Sequence, residues 1–122
     1  MDASFPKHNR LYGRLRIEQL FHKGQHFVAW PLRITYTPTE EDTQVLVWAP
    51  KSLFKHAVNR NHLRRLMREA FRLNKEWLGD QHYHIAFNYI DKEVKDFPTI
   101  EKAIKKALHK INEPRAMENN RT

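Results

Sequence analysis

The chain has 122 residues, with 22 Lys and Arg against 14 Asp and Glu for a formal charge of +8, and no cysteine. That length suffices for a single hydrophobic core without metal or disulfide support, and the lack of thiols excludes disulfides and thiolate zinc centres while fitting a reducing, cytoplasmic setting. There is no run of 18 apolar residues and no charged-then-apolar leader at Met1, so neither a membrane span nor secretion is expected.

In chain order, Arg14 to Lys23 reads as a short helix ended by Gly24, with Ile17, Leu20 and Phe21 on one face. His26 to Thr37 is rich in β-branched and aromatic residues and reads as a strand, which Pro31 must interrupt at a bulge or an edge because it donates no backbone hydrogen bond. The polar stretch from Pro38 to Thr43 is a turn, and Gln44 to Ala49 is expected to return beside the first strand as the second arm of an antiparallel hairpin.

The next segment, residues 51–75, holds eight Lys or Arg and one acid, Glu69, and so carries +7 of the formal +8. A helix is expected from about Lys55 to Leu78, stopping at Gly79-Asp80. At 100° per residue, Leu63, Leu66, Met67, Ala70, Leu73 and Trp77 fall within a stripe of about 120°, while Arg60, Asn61, Arg64, Arg65, Arg68 and Arg72 fall within a separate stripe of about 140°. A solvated helix with no partner would intersperse acids at i and i+4 to pair those cations, and only Glu69 is available. Arginine bonds phosphate oxygens through a planar fork and stacks on bases, so concentrated positive charge of this kind points to nucleic acid.

Beyond the basic helix, Tyr83 to Ile90 alternates as a strand with Tyr83, Ile85, Phe87 and Tyr89 on one face. A last amphipathic helix opens near Pro98-Thr99 and buries Ile100, Ile104, Ala107, Leu108 and Ile111, after which residues 112–122 hold too few apolar side chains to pack. The order is α-β-β-(β)-α-β-α, the third strand appearing if Pro31 splits the first. The expected architecture is an α+β, two-layer sandwich of one sheet with helices against it, a single RNA-binding domain over residues 1–122 with its core at about 7–111.

No catalytic group is apparent. A hydrolase needs convergent carboxylates or a nucleophile with its base, whereas Glu40, Glu41 and Asp42 cluster in a turn and Glu69 stands where it can orient Arg65 or Arg72. Eight histidines raise a metal site, yet the pairs His22/His26 and His82/His84 lack a third ligand nearby, so none is expected. Most aromatic rings are needed for the core of so small a domain, although a few could serve as stacking platforms for unpaired bases; by pattern alone Phe21 fits either role. Three readings of the charge remain: a subunit of an RNA-containing enzyme, a ribosomal or assembly protein on structured RNA, and a DNA-reading helix. The last is disfavoured because a run of arginines lacks the Asn and Gln mix of base readout.

The motif Ala57-Val58-x-Arg60-Asn61-x-x-Arg64-Arg65-x-x-Arg68-Glu69-x-Phe71 resembles the signature helix of the bacterial ribonuclease P protein family, with Lys51 where that family places a lysine just after a strand. Asn9-Arg10-Leu11 followed by Ile17, Phe21 and Gly24 resembles the family's first helix, and the likeness covers roughly residues 7–111. Two positions depart: His62 replaces the third basic residue of an Arg-Asn-Arg triplet, and Ile17 replaces an aromatic often found in the family's cleft. The resemblance implies the fold of ribosomal protein S5 domain 2, with a left-handed β-α-β crossover against the usual right-handed preference. It implies a non-catalytic partner of the catalytic RNA subunit of ribonuclease P, with Mg²⁺ held mainly by that RNA and precursor tRNA as substrate. Lys51, Arg60, Asn61, His62, Arg64, Arg65, Arg68 and Arg72 would then contact RNA, and Ile17, Phe21 and Tyr36 would line a cleft for the single-stranded 5′ leader, Tyr36 mapping with one residue of uncertainty against Thr35.

Overall fold

The computed structural model describes residues 9–121, with side chains through Asn112. The expected start of the core near residue 7, and the side chains of the segment expected not to pack beyond Asn112, lie outside the described residues. The elements are α1 (Arg14–Lys23), β1 (Gln25–Ala29), β2 (Leu32–Pro38), β3 (Gln44–Trp48), α2 (Ala57–Asn74) continued by a 3₁₀ turn (Lys75–Leu78), β4 (Tyr83–Tyr89) and α3 (Phe97–Arg121). The strand split at Pro31 is present: Trp30 and Pro31 form the tight turn between β1 and β2, where no donor is required of the proline.

The strand order is β1-β2-β4-β3, with β3 parallel to β4 and the other pairs antiparallel. The expected hairpin between β2 and β3 is therefore not formed, because β4 lies between them. The cause is the character of β4, which is buried at Tyr83, Ile85, Phe87 and Tyr89 on one face and at Ala86 on the other. A strand covered on both sides belongs in the middle of a sheet, and the polar turn after Pro38 steps across it rather than folding back. The antiparallel hairpin is β1 with β2 instead.

One sheet face carries the main core. Ile34, Val45, Ile85 and Phe87 meet Leu63, Met67, Ala70 and Phe71 of α2 and Ile100, Ile104, Ala107 and Leu108 of α3, all essentially inaccessible to water. The opposite face carries a smaller cluster in which Leu20, Ile17 and Phe21 of α1 pack with Leu11 on Leu46 and Ala86. Gly24 ends α1 through close approach to the sheet rather than a left-handed backbone: a Cβ there would sit 2.9 Å from Thr35 Cγ2 and 3.0 Å from Tyr36 O. That contact fixes the angle at which α1 crosses the sheet.

Candidate RNA-binding surface

Helix α2 buries Leu63, Met67, Ala70, Phe71 and Asn74. Leu66 is only half-buried, while Leu73 and Trp77 are 45% and 47% exposed, so the packed stripe is turned by about 50° from the expected one at 100° per residue. Phe71 produces the rotation by reaching down to Phe87, with ring centres 6.1 Å apart. Asn74 completes it: its amide donates to Ala70 O at 2.8 Å and to Glu101 at 3.1 Å, and a hydrogen-bonded polar residue in a core leaves no trace in an apolar pattern.

The arginines remain on the outer flank but do not share one role. Arg60 Nη1 donates to the carbonyls of Phe54 (2.7 Å) and Lys55 (3.0 Å), so it ties the loop after β3 to the first turn of α2. Arg72 is held by Glu69 through contacts of 2.5 and 3.2 Å, which keeps the Glu69 carboxyl below its ordinary range and raises the guanidinium. Arg64 donates to the uncharged side-chain oxygen of Asn61. Arg65, His62 and Lys51 are exposed, and Arg68 lies half-buried beside them. Arg64, Arg65 and Arg68 thus form the cationic centre of α2, and Lys51 stands exposed in the loop after β3.

The predicted cleft residues divide between the two sheet faces. Ile17 and Phe21 lie on the α1 side. Tyr36 points the other way into the main core, 7% exposed, edge-on to Phe27 and Tyr83, with its hydroxyl donating to Gln25 Oε1 at 3.0 Å and burial raising its pKa. It is removed from the cleft by strand alternation, and Thr35, its neighbour, faces α1 instead. Thr35 is buried there with its hydroxyl 2.8 Å from His26 Nδ1.

Register identifies what α1 leaves open. Val28, Arg33, Asn88 and Trp48 align across all four strands on the α1 face. Val28, Arg33 and Trp48 are exposed, and Asn88 Oδ1 has no hydrogen-bond partner among the described residues. On the α1 wheel, Ile17 and Phe21 point about 150° away from Arg16, Gln19 and Lys23, toward this row and away from the polar end of the helix. Ile17, Phe21 and the row lie on the same sheet face, and Lys51 follows Trp48 by three residues. Sequence reading missed the residues of this row because the strand pairing that aligns them was not the expected one.

At the other end of the same face a cleft of about 340 Å³ is lined by Arg16, Gln19, Lys23, Thr37, Glu41 and His84. Glu41 accepts from Arg16 at 2.5 Å and lies 3.4 Å from His84 Nε2. Burial depresses the His84 pKa, with Glu41 opposing and Arg16 assisting. An imidazole that binds its proton less readily when folded contributes stability above its unfolded pKa of about 6.5, and that contribution is lost as the pH falls from there through the depressed folded value. Melting temperature should therefore drop between pH 7.5 and 5.5, and His84→Gln should reduce that drop. An identical pH profile in the variant would remove His84 as the cause. Among the described residues no three His, Cys, Asp or Glu side chains gather to hold a metal ion, and no helix is long and apolar enough to cross a membrane.

The profile of the protein family described as Ribonuclease P matches residues 5–112. The ribonuclease P protein component of Porphyromonas gingivalis is 42% identical over 115 residues, covering 86% of this chain and 84% of that protein. Its counterpart in Chlorobium phaeobacteroides is 33% identical over 129 residues, covering 88% of each. The solved structures of the RNase P proteins of Staphylococcus aureus and Thermotoga maritima both superpose with a TM-score of 0.71, at 19% and 21% identity. They cover 86% and 83% of this chain, and 95% and 96% of their own.

Proposed function

The chain belongs to the ribonuclease P protein family, and we propose on that premise that α2 docks it on the catalytic RNA subunit while the groove under α1 holds the 5′ leader of precursor tRNA. As a component of ribonuclease P it serves 5′ maturation of tRNA and has the RNA subunit as its partner. The observation that carries the docking assignment is the separation of roles on α2: one flank is welded into the core by Leu63, Met67 and Phe71, so the opposite flank presents Arg64, Arg65 and Arg68 on a rigid rod. Guanidinium groups carried on a fixed helix bond phosphate oxygens through planar, bidentate forks. Asn61, His62, Arg72 and Lys51 border them. Arg60 acts by holding the loop that carries Lys51.

In the groove Phe21 and Trp48 offer ring faces to unpaired bases, Ile17 offers apolar area, and Arg33 and Lys51 offer charge to the leader backbone. No side chain here acts on the scissile phosphate. Mg²⁺ held by the RNA supplies the hydrolytic chemistry, and this chain contributes by neutralising phosphates and positioning the leader, which lowers the metal concentration the reaction needs. The purified protein alone should leave precursor tRNA intact, and adding the RNA subunit should restore 5′ cleavage at low Mg²⁺. In the same reconstituted enzyme, Phe21→Ala should raise the dissociation constant of precursor tRNA roughly tenfold, given stacking of about 1–3 kcal/mol per base, with mature tRNA bound as before. Equal weakening for both tRNAs with a lowered melting temperature would confine Phe21 to the small α1 cluster. Cleavage by nuclease-free protein without RNA would defeat the whole assignment.

A further inference from the structure

We infer that the outer face of α3, together with Trp77, forms a second docking surface for the catalytic RNA, engaging an RNA segment different from the one held by α2. Lys102, Lys105, Lys106, His109 and Lys110 are all exposed and fall within about 140° of the helix surface. Lys102, Lys106 and Lys110 follow one another at four-residue spacing, an arrangement in which like charges destabilise a helix by about 0.2–0.5 kcal/mol per pair. The acid on this part of the helix, Glu101, is turned toward α2, where it accepts from Asn74. Among the described residues Lys102, Lys105 and Lys106 have no ion-pair partner, and Lys110 lies 5.1 Å over the Phe27 ring. A repulsive cation row that its own fold leaves uncompensated is what an external polyanion would relieve.

The seam between this row and α2 is apolar and open. Trp77 projects there: its indole stands edge-on to the His109 ring with centres 5.7 Å apart while its carbonyl accepts from Asn112 at 3.3 Å. A half-exposed indole set against the helix that carries the lysine row combines the two features of single-strand binding, a face for stacking and charge for the backbone. The lysine row is complementary in charge to a polyanion, and the helical layer that α2 presents to the catalytic RNA continues directly onto α3, which makes another part of the same RNA the occupant. The inference rests on the docking of α2 proposed above.

The test is binding and hydroxyl-radical footprinting of the catalytic RNA with full-length protein. The triple variant Lys102→Ala, Lys105→Ala, Lys106→Ala should keep or raise the melting temperature, since it removes repulsion. It should weaken RNA binding ten- to hundredfold, lower the salt slope by about two to three, and expose one RNA segment that the α2 variant Arg64→Ala, Arg65→Ala, Arg68→Ala leaves protected. Trp77→Ala should uncover the same segment, and Trp77→Phe should restore it, as a stacking face but not an indole-specific contact would. Unchanged affinity and footprint in the lysine variant would overturn the inference, as would loss of the very segment that α2 protects or protection appearing only on precursor tRNA. If the arginine variant binds normally and the lysine variant does not, the assignment to α2 fails and the inference of a second surface falls with it.

Discussion

Replacing Arg64, Arg65 and Arg68 together by alanine should weaken binding to the catalytic RNA about a hundredfold at 0.15 M salt and flatten the dependence of log K on log salt by two to three units, because each phosphate contact releases roughly 0.7–0.9 of a counterion. The fold should survive, since none of the three belongs to the buried set on α2. Arg72→Ala should change the slope by less than one unit, because Glu69 already cancels most of that charge at 2.5 Å. Glu69→Gln should correspondingly tighten binding by releasing Arg72. Arg60→Ala should behave differently again: it frees the carbonyls of Phe54 and Lys55 and should lower the melting temperature along with affinity. Filter binding across a salt series, beside a melt of each variant, separates these cases. Equal slopes for the triple variant and the parent would remove α2 from the RNA interface.

Met67→Ala should cost about 2–5 kcal/mol of folding stability, the range for emptying a fully buried long side chain. Met67 is completely inaccessible, wedged between the sheet and α3. Leu63→Ala belongs in the same range, Leu66→Ala should cost clearly less because that side chain is half-buried, and Leu73→Ala should be nearly neutral at 45% exposure. The expected order Met67 and Leu63, then Leu66, then Leu73 is a direct reading of the rotated helix, because the apolar pattern by itself ranks all four as equivalent. Chemical denaturation with a common m-value decides it. A Leu73→Ala variant as unstable as Met67→Ala would contradict the orientation of α2.

Much of the molecule was legible in the chain because its signals are local. Net charge gathered on residues 51–75, the 3.6-residue period of α2 and α3, the alternation of β4 and the interruption at Pro31 each depend on neighbours within one element, so element order and the gathering of cations on one helix follow from the sequence. Four things depended on contacts between distant segments, and only the tertiary structure decided them. The partner of β3 is β4 rather than β2, since pairing is chosen by which strand can be covered on both faces. The face of Tyr36 is the main-core side, since alternation fixes the relation between neighbours but the packing of α1 fixes which side that helix covers. The division of the arginines into one that braces a loop, one that is neutralised and three that carry the cationic centre arises from carbonyls and a carboxylate whose positions no spacing rule specifies. The same reason hid the row Val28, Arg33, Asn88 and Trp48: four residues from four strands become neighbours only through hydrogen-bond register, which long-range packing sets.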